Sequence, residues 1–265
     1  MELSLAGWSL HKLFRASERP LLLVDFPRFT KDTFGLDAVE LNSPFFESRE
    51  PRYLRMLRDA AKRAGVALLN VAVDESGDLA SEIESIRLDG INNYARWIPV
   101  ARDLGCSAIR ANSGGRTVTD RQVAIENCIE SFHRLIDEGE KYGIAVLMEN
   151  HGGISAEADT VVRIMTELGK THAPESFGTL ADFGNWPEGA DRYASLAKIM
   201  PWAKAVHAKV RDIDEQLNHP AFDHARCIAI AQEFGYDGYL GIEFEGAGDA
   251  VEGVRRAVTK LRALV

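Results

Sequence analysis

The stretch Ile144-Ala-Val-Leu-Met-Glu-Asn-His151 decides the fold of this 265-residue chain. It begins as a short apolar run, ends in a carboxylate, an amide and an imidazole, and is followed by the pair Gly152-Gly153. The next segment predicts an amphipathic helix, because its apolar residues recur at helical spacing: Val161, Val162, Ile164, Met165 and Leu168. Gly169 then fits the end of that helix. The stretch is typical of one strand–loop–helix unit, with polar side chains where the strand ends.

The same unit recurs along the chain. Apolar runs that predict strands begin near eight positions: Leu3, Ala38, Val66, Ser107, Ile144, Phe177, Ala203 and Tyr239. Helical patterns lie between them, and two of these end at Gly65 and Gly143, which fit helix C-caps. Eight strands alternating with helices favour a single (β/α)8 barrel domain over residues 1–265, since α/β barrels reach this length as one domain.

A doubly wound open sheet is the competing architecture. It is disfavoured because no G-x-G-x-x-G fingerprint follows the first strand. The first unit also contains an ambiguous segment, since residues 21–24 fit either a strand or a helix.

Composition limits the class of protein and its partners. The chain has 31 Lys and Arg against 40 Asp and Glu, a net charge of −9, which argues against nucleic acid as the main partner. Its three cysteines form no C-x-x-C pair, which is typical of a reduced, intracellular protein without a thiolate zinc site. The first residues lack the pattern of a secretory leader, and no apolar run approaches the ~18 residues that span a bilayer. We therefore expect a cytoplasmic protein without a membrane partner.

Side-chain alternation predicts which strand residues face the barrel interior. On the fifth strand, Glu149 and His151 share a parity opposite to that of the apolar residues Val146 and Met148. The same reasoning turns one polar residue inward near the end of each of the next three strands: Asp182, His207 and Glu243. Catalytic groups of such barrels lie at these carboxyl ends, so we expect the side chains to converge at one mouth.

Three carboxylates and an imidazole at one mouth would be unfavourable without a cation. An oxygen-rich set of this kind suits one divalent ion, with Mn²⁺ preferred and Mg²⁺, Co²⁺ or Zn²⁺ as alternatives. Taken singly, each residue has an ordinary alternative as a surface carboxylate or a hydrogen-bonded core histidine. Their shared parity on four consecutive strands favours the metal site.

Other polar residues also fall on the inward face. Lys209 shares the parity of His207 and could hold a substrate oxygen or an enolate, or form an ordinary salt bridge. Four more side chains could line the pocket, or form a structural ion pair such as Glu40–Arg110: Glu40, Asn42, Arg110 and Asn112. Trp8 and Trp186 could form a wall against a sugar ring, although aromatic packing under the loops is the simpler interpretation.

With these residues placed, the sequence resembles the xylose-isomerase-like TIM-barrel superfamily of sugar phosphate isomerases and epimerases over nearly the whole chain. Four segments carry most of the resemblance: Met148-Glu-Asn-His-Gly-Gly153, Asp182-Phe-Gly-Asn185, Val206-His-Ala-Lys209 and Gly241-Ile-Glu-Phe-Glu-Gly246. The resemblance implies one divalent metal held by four residues: Glu149, Asp182, His207 and Glu243. It implies proton transfer beside the carbonyl of a small carbohydrate through a metal-stabilised enediolate. Glu149 and Glu243 would take the places of the proton-transferring glutamates of the ketose 3-epimerases.

The sequence departs from those epimerases at one position. They carry a substrate-binding histidine three residues after the aspartate, where this chain has Asn185. His151 is instead similar to the catalytic base of some dehydratases of the superfamily. The departure raises an alternative, a metal-dependent dehydratase or lyase acting on a keto-polyol or keto-sugar, with His151 and Lys209 as further catalytic candidates.

Two other classes of protein share the barrel. An endonuclease-IV-like repair enzyme is disfavoured, because its three-metal cluster needs more histidines than the placed strand ends supply and the net charge does not suit DNA. A non-catalytic sugar-binding barrel would be expected to lack one or more of the four ligands, and none is missing. The sequence leaves a homo-oligomer open, and it does not decide which sugar is used.

Overall fold

In the computed structural model, which describes residues 1–74 and 76–265, eight parallel strands close into a barrel in chain order. The strands are β1 (Glu2–Ala6), β2 (Ala38–Asn42), β3 (Ala67–Ala72), β4 (Ala108–Ala111), β5 (Ala145–Glu149), β6 (Phe177–Asp182), β7 (Ala203–Val210) and β8 (Tyr239–Phe244). Strand β1 pairs with β8 and closes the ring. The predicted (β/α)8 barrel is confirmed, and each predicted strand lies within one residue of its expected start.

Helices separate consecutive strands in the described chain. They are α1 (His11–Phe14), α2 (Phe26–Phe34), α3 (Pro51–Ala64), α4 (Glu84–Ala95), α5 (Ile98–Leu104), α6 (Arg121–Tyr142), α7 (Ala158–Leu168), α8 (Arg192–Ile199), α9 (His224–Glu233) and α10 (Ala250–Arg262). Short 3-10 helices cover Gly7–Leu10, Ser43–Phe45, Gly153–Ala156 and Met200–Trp202. None of the helices in the described residues is both long enough and apolar enough to cross a bilayer.

Local sequence sets the helix ends. Gly65 and Gly143 both adopt φ of +67°, a left-handed conformation that favours glycine and ends α3 and α6. The Asp120 side chain accepts hydrogen bonds from the first turn of α6 and caps its N-terminus. Residues 21–24 form neither of the two predicted structures, since an irregular segment and a turn lead into α2.

Apolar residues pack in two layers. The main core lies between the outer faces of the strands and the helices, where Val146, Met148 and Ile242 are buried. A small cluster fills part of the barrel interior with compact side chains: Ala108, Ala145, Leu147 and Leu180, with Ala205 against them. Because these side chains are small, a cavity of about 540 Å³ lies at the amino-terminal mouth of the barrel. The polar cluster predicted from strand parity lies toward the opposite mouth.

Candidate active site

The structure brings the four predicted ligands together. One ligand atom from each of Glu149, Asp182, His207 and Glu243 lies within 4.8 Å of the others, and all four residues are buried. Strand register explains this convergence, since Asp182 on β6 stands beside His207 on β7. One step further along, Lys209 on β7 stands beside Glu243 on β8.

The cluster contains buried polar atoms that lack hydrogen-bond partners. Within residues 1–74 and 76–265, no hydrogen bond reaches Glu149 Oε2, Asp182 Oδ2 or His207 Nδ1. Leaving a buried polar atom unsatisfied costs about 1–3 kcal/mol. A cation held by these atoms would supply the missing partner to all three, so the residues present fit a divalent ion.

Glu40 orients the imidazole of the cluster. Its Oε2 lies 2.9 Å from His207 Nε2, while Ser4 Oγ and Asn70 Nδ2 each donate to the carboxylate at 2.8 Å. Burial raises the pKa of Glu40, but the His207 charge and the three hydrogen bonds outweigh it, so the pKa lies below the usual value. The arrangement turns His207 Nδ1 toward the other ligands, as carboxylates behind metal-binding histidines commonly do.

The suggested Glu40–Arg110 ion pair is wrong. Arg110 Nη2 contacts Asp74 Oδ1 at 2.8 Å, and its Nε lies 3.1 Å from Glu149 Oε2 without hydrogen-bond geometry. Burial lowers the pKa of Arg110, but the charges of Asp74 and Glu149 raise it by more than burial lowers it. The net pKa lies above the usual value, so the guanidinium stays protonated. Asp74 was missed by the sequence reasoning. Its signal was available, because Asn70 and Asp74 share the inward parity of β3.

Lys209 is buried among carboxylates. Its ammonium contacts Glu243 and lies 3.7 Å from Asp182 Oδ2 and 3.3 Å from Glu245 Oε1. Burial lowers the pKa of Lys209, but the charges of Asp182 and Glu243 raise it well above the usual value. Burial and the Glu243 and Glu149 charges raise the pKa of Asp182 to about 7, although Lys209 opposes them. The carboxylates of Asp182, Glu243 and Glu245 therefore surround one buried ammonium.

Hydrogen bonds between a side chain and the backbone fix the positions of the strand ends that carry Glu149 and Asp182. Asn150 Nδ2 donates to the Asp182 carbonyl at 2.9 Å, and the Asp182 amide donates to Asn150 Oδ1 at 2.8 Å. This reciprocal pair joins the ends of β5 and β6. Asn185 donates from Nδ2 to Glu149 Oε1 at 3.0 Å. Asn185 therefore contacts a predicted ligand directly.

His151 lies at the edge of the cluster. Its Nδ1 is 3.2 Å from Asn112 Oδ1 and 3.5 Å from Glu149 Oε2, and 37% of its side chain is exposed. It borders a cavity of about 430 Å³ whose wall also includes Trp8, Tyr94, Arg110, Glu243 and Glu245. Trp8 is therefore placed at the cavity, whereas the buried Trp186 is not among its lining residues.

Two curated relatives match short segments of the chain. The C-glycoside deglycosidase alpha subunit of Arthrobacter globiformis is 50% identical over 48 residues, 18% of this chain and 14% of the relative. The 3'-dehydrocarminate deglycosidase alpha subunit of a Microbacterium species is 36% identical over 58 residues, 22% of this chain and 17% of the relative. The matches thus span less than a fifth of each relative's length.

Solved structures share the fold over nearly their whole length. The 3-keto-D-glucoside 4-epimerase of E. coli superposes with a TM-score of 0.76 and 14% identity, covering 99% of both chains. D-Psicose 3-epimerase from Clostridium cellulolyticum H10, solved with D-tagatose, gives a TM-score of 0.77 and 14% identity, covering 100% of this chain and 99% of that one. At this identity the likeness establishes the fold alone.

Family membership follows from the sequence match. Residues 28–264 match the family described as xylose isomerase-like TIM barrel. That range includes every residue of the acidic and histidine cluster described above. The chain therefore belongs to the xylose isomerase-like TIM barrel family.

Proposed function

We propose that this protein is a divalent-metal-dependent sugar isomerase or epimerase that moves a proton beside the carbonyl of a small keto-sugar. The observation that carries the proposal is the set of three unsatisfied buried atoms, Glu149 Oε2, Asp182 Oδ2 and His207 Nδ1, in one cluster with Glu243. Family membership and the names of the structural neighbours, sugar epimerases, support a carbohydrate substrate.

Four residues would hold the ion: Glu149, Asp182, His207 and Glu243. When bound, a divalent ion supplies Lewis-acid chemistry that stabilises negative charge developing on substrate oxygens. Mn²⁺ is the proposed ion, because oxygen ligands outnumber nitrogen and favour the harder cations.

Glu149 and Glu243 are the proposed proton-transfer groups. They project from β5 and β8, which are separated by two strands around the barrel, so their carboxylates reach the buried cluster from different strands. One carboxylate would remove the proton from the carbon beside the carbonyl, and the other would return a proton to the opposite face. Positioned groups of this kind contribute roughly 10²–10⁴-fold to rate.

Lys209 and Arg110 would balance charge as the reaction proceeds. The Lys209 ammonium contacts Glu243, and Arg110 Nε lies 3.1 Å from Glu149 Oε2, so each proton-transfer carboxylate has a cation beside it. Lys209 would also hold an enolate oxygen. Burial raises the pKa of Glu243, but the Lys209 charge and the neighbouring His207 lower it well below the usual value, so Glu243 is in the form that accepts a proton.

A lyase is the second candidate, supported by His151 and Asn185. Asn185 donates to Glu149 where the 3-epimerases have a substrate-binding histidine, and His151 borders the same cavity. In this reaction a carboxylate removes the proton beside the carbonyl and the bond to the group on the next carbon breaks. His151 would give a proton to that departing group. The two deglycosidase relatives, although matched only in part, are consistent with such bond cleavage.

Deuterium exchange tests the proton transfer. Protein loaded with Mn²⁺ is incubated in D₂O with p-nitrophenyl 3-keto-glucoside, D-fructose or D-tagatose, and NMR follows deuterium at the carbon beside the carbonyl. We expect exchange with at least one compound, reduced by about 10²-fold or more in Glu149→Gln and Glu243→Gln. The exposed Glu157→Gln variant is the control. Exchange at control rates in either variant would remove that carboxylate from the mechanism, and no exchange with any of the compounds would contradict the proposal.

The same reaction separates the two candidates. Epimerisation returns the proton and leaves the nitrophenyl group attached, whereas elimination breaks the bond from C1 to the phenolic oxygen and releases coloured nitrophenolate. His151→Ala should slow that release while the protein retains its ion. Elemental mass spectrometry should find about one ion per chain in the wild type, with loss in His207→Ala. Equal loss of metal in both variants would contradict the division of roles.

A further inference from the structure

A second cluster of residues that can bind a metal lies on the outside of the barrel. Asp137 and Glu140 belong to α6, and His172 follows α7 in the connection to β6. One ligand atom from each of these three residues lies within 4.8 Å of the others. The C-terminal ends of α6 and α7 lead into the starts of β5 and β6, so this cluster lies toward the amino-terminal mouth, at the opposite end of the barrel from the candidate active site.

Helical spacing brings the α6 side chains of this cluster onto one face. His133, Asp137 and Glu140 follow one another at steps of four and three residues, which places them one above the other along the helix. That face lies against the segment after α7, because His133 Nδ1 is 2.8 Å from His172 Nε2 and the two ring centroids are 5.0 Å apart. The cluster therefore joins two consecutive units of the helix layer.

Contacts on both sides hold the His172 imidazole in place. Only 6% of its side chain is exposed. Its Nε2 contacts His133, and its Nδ1 lies 3.3 Å from Glu140 Oε1. A metal-binding histidine commonly uses its second ring nitrogen in a hydrogen bond that orients the ring. His133 supplies such a partner here, which leaves His172 Nδ1, beside Glu140, to bind an ion.

The two carboxylates of the cluster are not neutralised in the way their neighbour is. Glu138, between them on α6, forms a salt bridge with Lys141. Asp137 and Glu140 form no salt bridge with a lysine or arginine in the part of the chain that the structure describes, where Glu140 pairs with His172. Carboxylates at this spacing repel each other, and a divalent cation between them would neutralise both charges.

We propose that Asp137, Glu140 and His172 form a second metal site, named here the outer site, and that it binds Zn²⁺. One imidazole nitrogen and two carboxylate oxygens are ligands that zinc accepts, with water in the fourth position. Mg²⁺ and Ca²⁺ prefer oxygen alone, and Zn²⁺ binds such a set more tightly than Mn²⁺ does. Bound zinc would tie α6 to the connection between α7 and β6. The inference is independent of the proposed function, because the outer site shares no residue with the candidate active site.

Counting bound zinc tests the outer site without any measurement of activity. Metal-free protein is dialysed against a series of buffered Zn²⁺ concentrations at neutral pH, and elemental mass spectrometry gives the ions retained per chain. We expect His172→Gln to retain one zinc ion fewer than wild type, whatever the occupancy of the active site. The concentration that fills this site should rise at least about tenfold in Glu140→Gln, because a charged ligand is lost, a change of about 1.4 kcal/mol.

Two further variants separate binding at the outer site from a general effect of charge. Glu126→Gln is the matched control, because it removes one exposed carboxylate from the same helix, far from His172, and should leave zinc affinity within about twofold of wild type. His133→Phe removes the partner behind the imidazole and should weaken binding by about 10–100-fold.

Several results would overturn the outer site. These are equal zinc content in wild type and His172→Gln, equal loss of affinity in Glu126→Gln and Glu140→Gln, and no effect of His133→Phe. If His172→Gln fails to fold, Glu140→Gln decides the question, because 43% of the Glu140 side chain is exposed and its replacement leaves the packing unchanged.

Discussion

Replacing Glu40 by Gln tests whether the geometry around His207 controls metal affinity. Glu40 Oε2 lies 2.9 Å from His207 Nε2, and the contact is buried. Gln has the same shape and can still accept one hydrogen bond from the imidazole, so the ring orientation should persist while the negative charge is lost. Partners behind a metal ligand typically contribute about 10–100-fold to metal affinity. We expect Glu40→Gln to weaken Mn²⁺ binding about tenfold, or about 1.4 kcal/mol.

The pH dependence of that loss has a definite direction. Burial lowers the pKa of His207, but the charges of Glu40 and Glu243 and the contact of Nε2 with the Glu40 carboxylate raise it well above the usual value. A proton and a metal ion compete for this imidazole. Removing the Glu40 charge weakens both, so the difference in Mn²⁺ affinity between wild type and variant should be largest at high pH and shrink as the pH falls.

The assay is competitive Mn²⁺ titration against a chelator between pH 6 and 9. Glu245→Gln is the matched control, because it removes one negative charge at the same mouth, where Glu245 contacts Lys209 and Arg211 instead of His207. We expect less than about a threefold change in that control. Unchanged affinity in Glu40→Gln, or a deficit that grows as the pH falls, would refute the role given to Glu40.

Three further predictions concern stability. A Cβ at Gly241 would overlap the Glu40 carboxylate, so Gly241→Ala should lower the free energy of unfolding in urea by about 1–3 kcal/mol. Gly248→Ala is the control, because nothing lies within 4 Å of a Cβ there. Equal effects of the two substitutions would contradict the packing argument. Lys209→Met leaves buried carboxylates without their ammonium and should destabilise the metal-free protein by about 3–5 kcal/mol. Mn²⁺ should then raise its Tm more than that of wild type, and an equal rise would refute the charge balance. Burial lowers the pKa of His224 to about 4, so the unfolded chain gains a proton before the folded one as the pH falls below about 6.5. Stability should fall by up to about 3 kcal/mol between pH 6.5 and 4, and His224→Gln should flatten that part of the profile; an unchanged slope would exclude His224 as the cause.

Strand periodicity was sufficient to predict the barrel and the polar face of its mouth. Parity alone turned Glu149, Asp182, His207 and Glu243 inward, and the structure places their ligand atoms within 4.8 Å. The argument works because side chains alternate strictly along a strand and all eight strands end at the same mouth.

Parity does not give the depth of a side chain in the barrel, which explains the wrong ion pair. Glu40 and Arg110 both face inward, but Glu40 reaches His207 beside Gly241, which has no side chain to exclude it. Arg110 on β4 instead contacts Asp74, which lies in the loop after the neighbouring strand β3. These pairings depend on the relative height of strands far apart in sequence, and that height is set by hydrogen bonding around the closed ring. Residues 21–24 form neither a strand nor a helix, although Leu23 is buried and Leu21 and Val24 pack against the core.

The reciprocal hydrogen bonds between Asn150 and the Asp182 backbone have a consequence for evolution of the site. The Asn150 side chain replaces one pair of backbone hydrogen bonds between the ends of β5 and β6. The spacing between Glu149 and Asp182 is therefore held by the protein itself and does not require an ion. Neighbouring loops can then be exchanged without disturbing this half of the centre. Substitutions that keep an amide at position 150 would preserve this spacing, whereas loss of the amide would make the distance between the two strand ends depend on a bound cation.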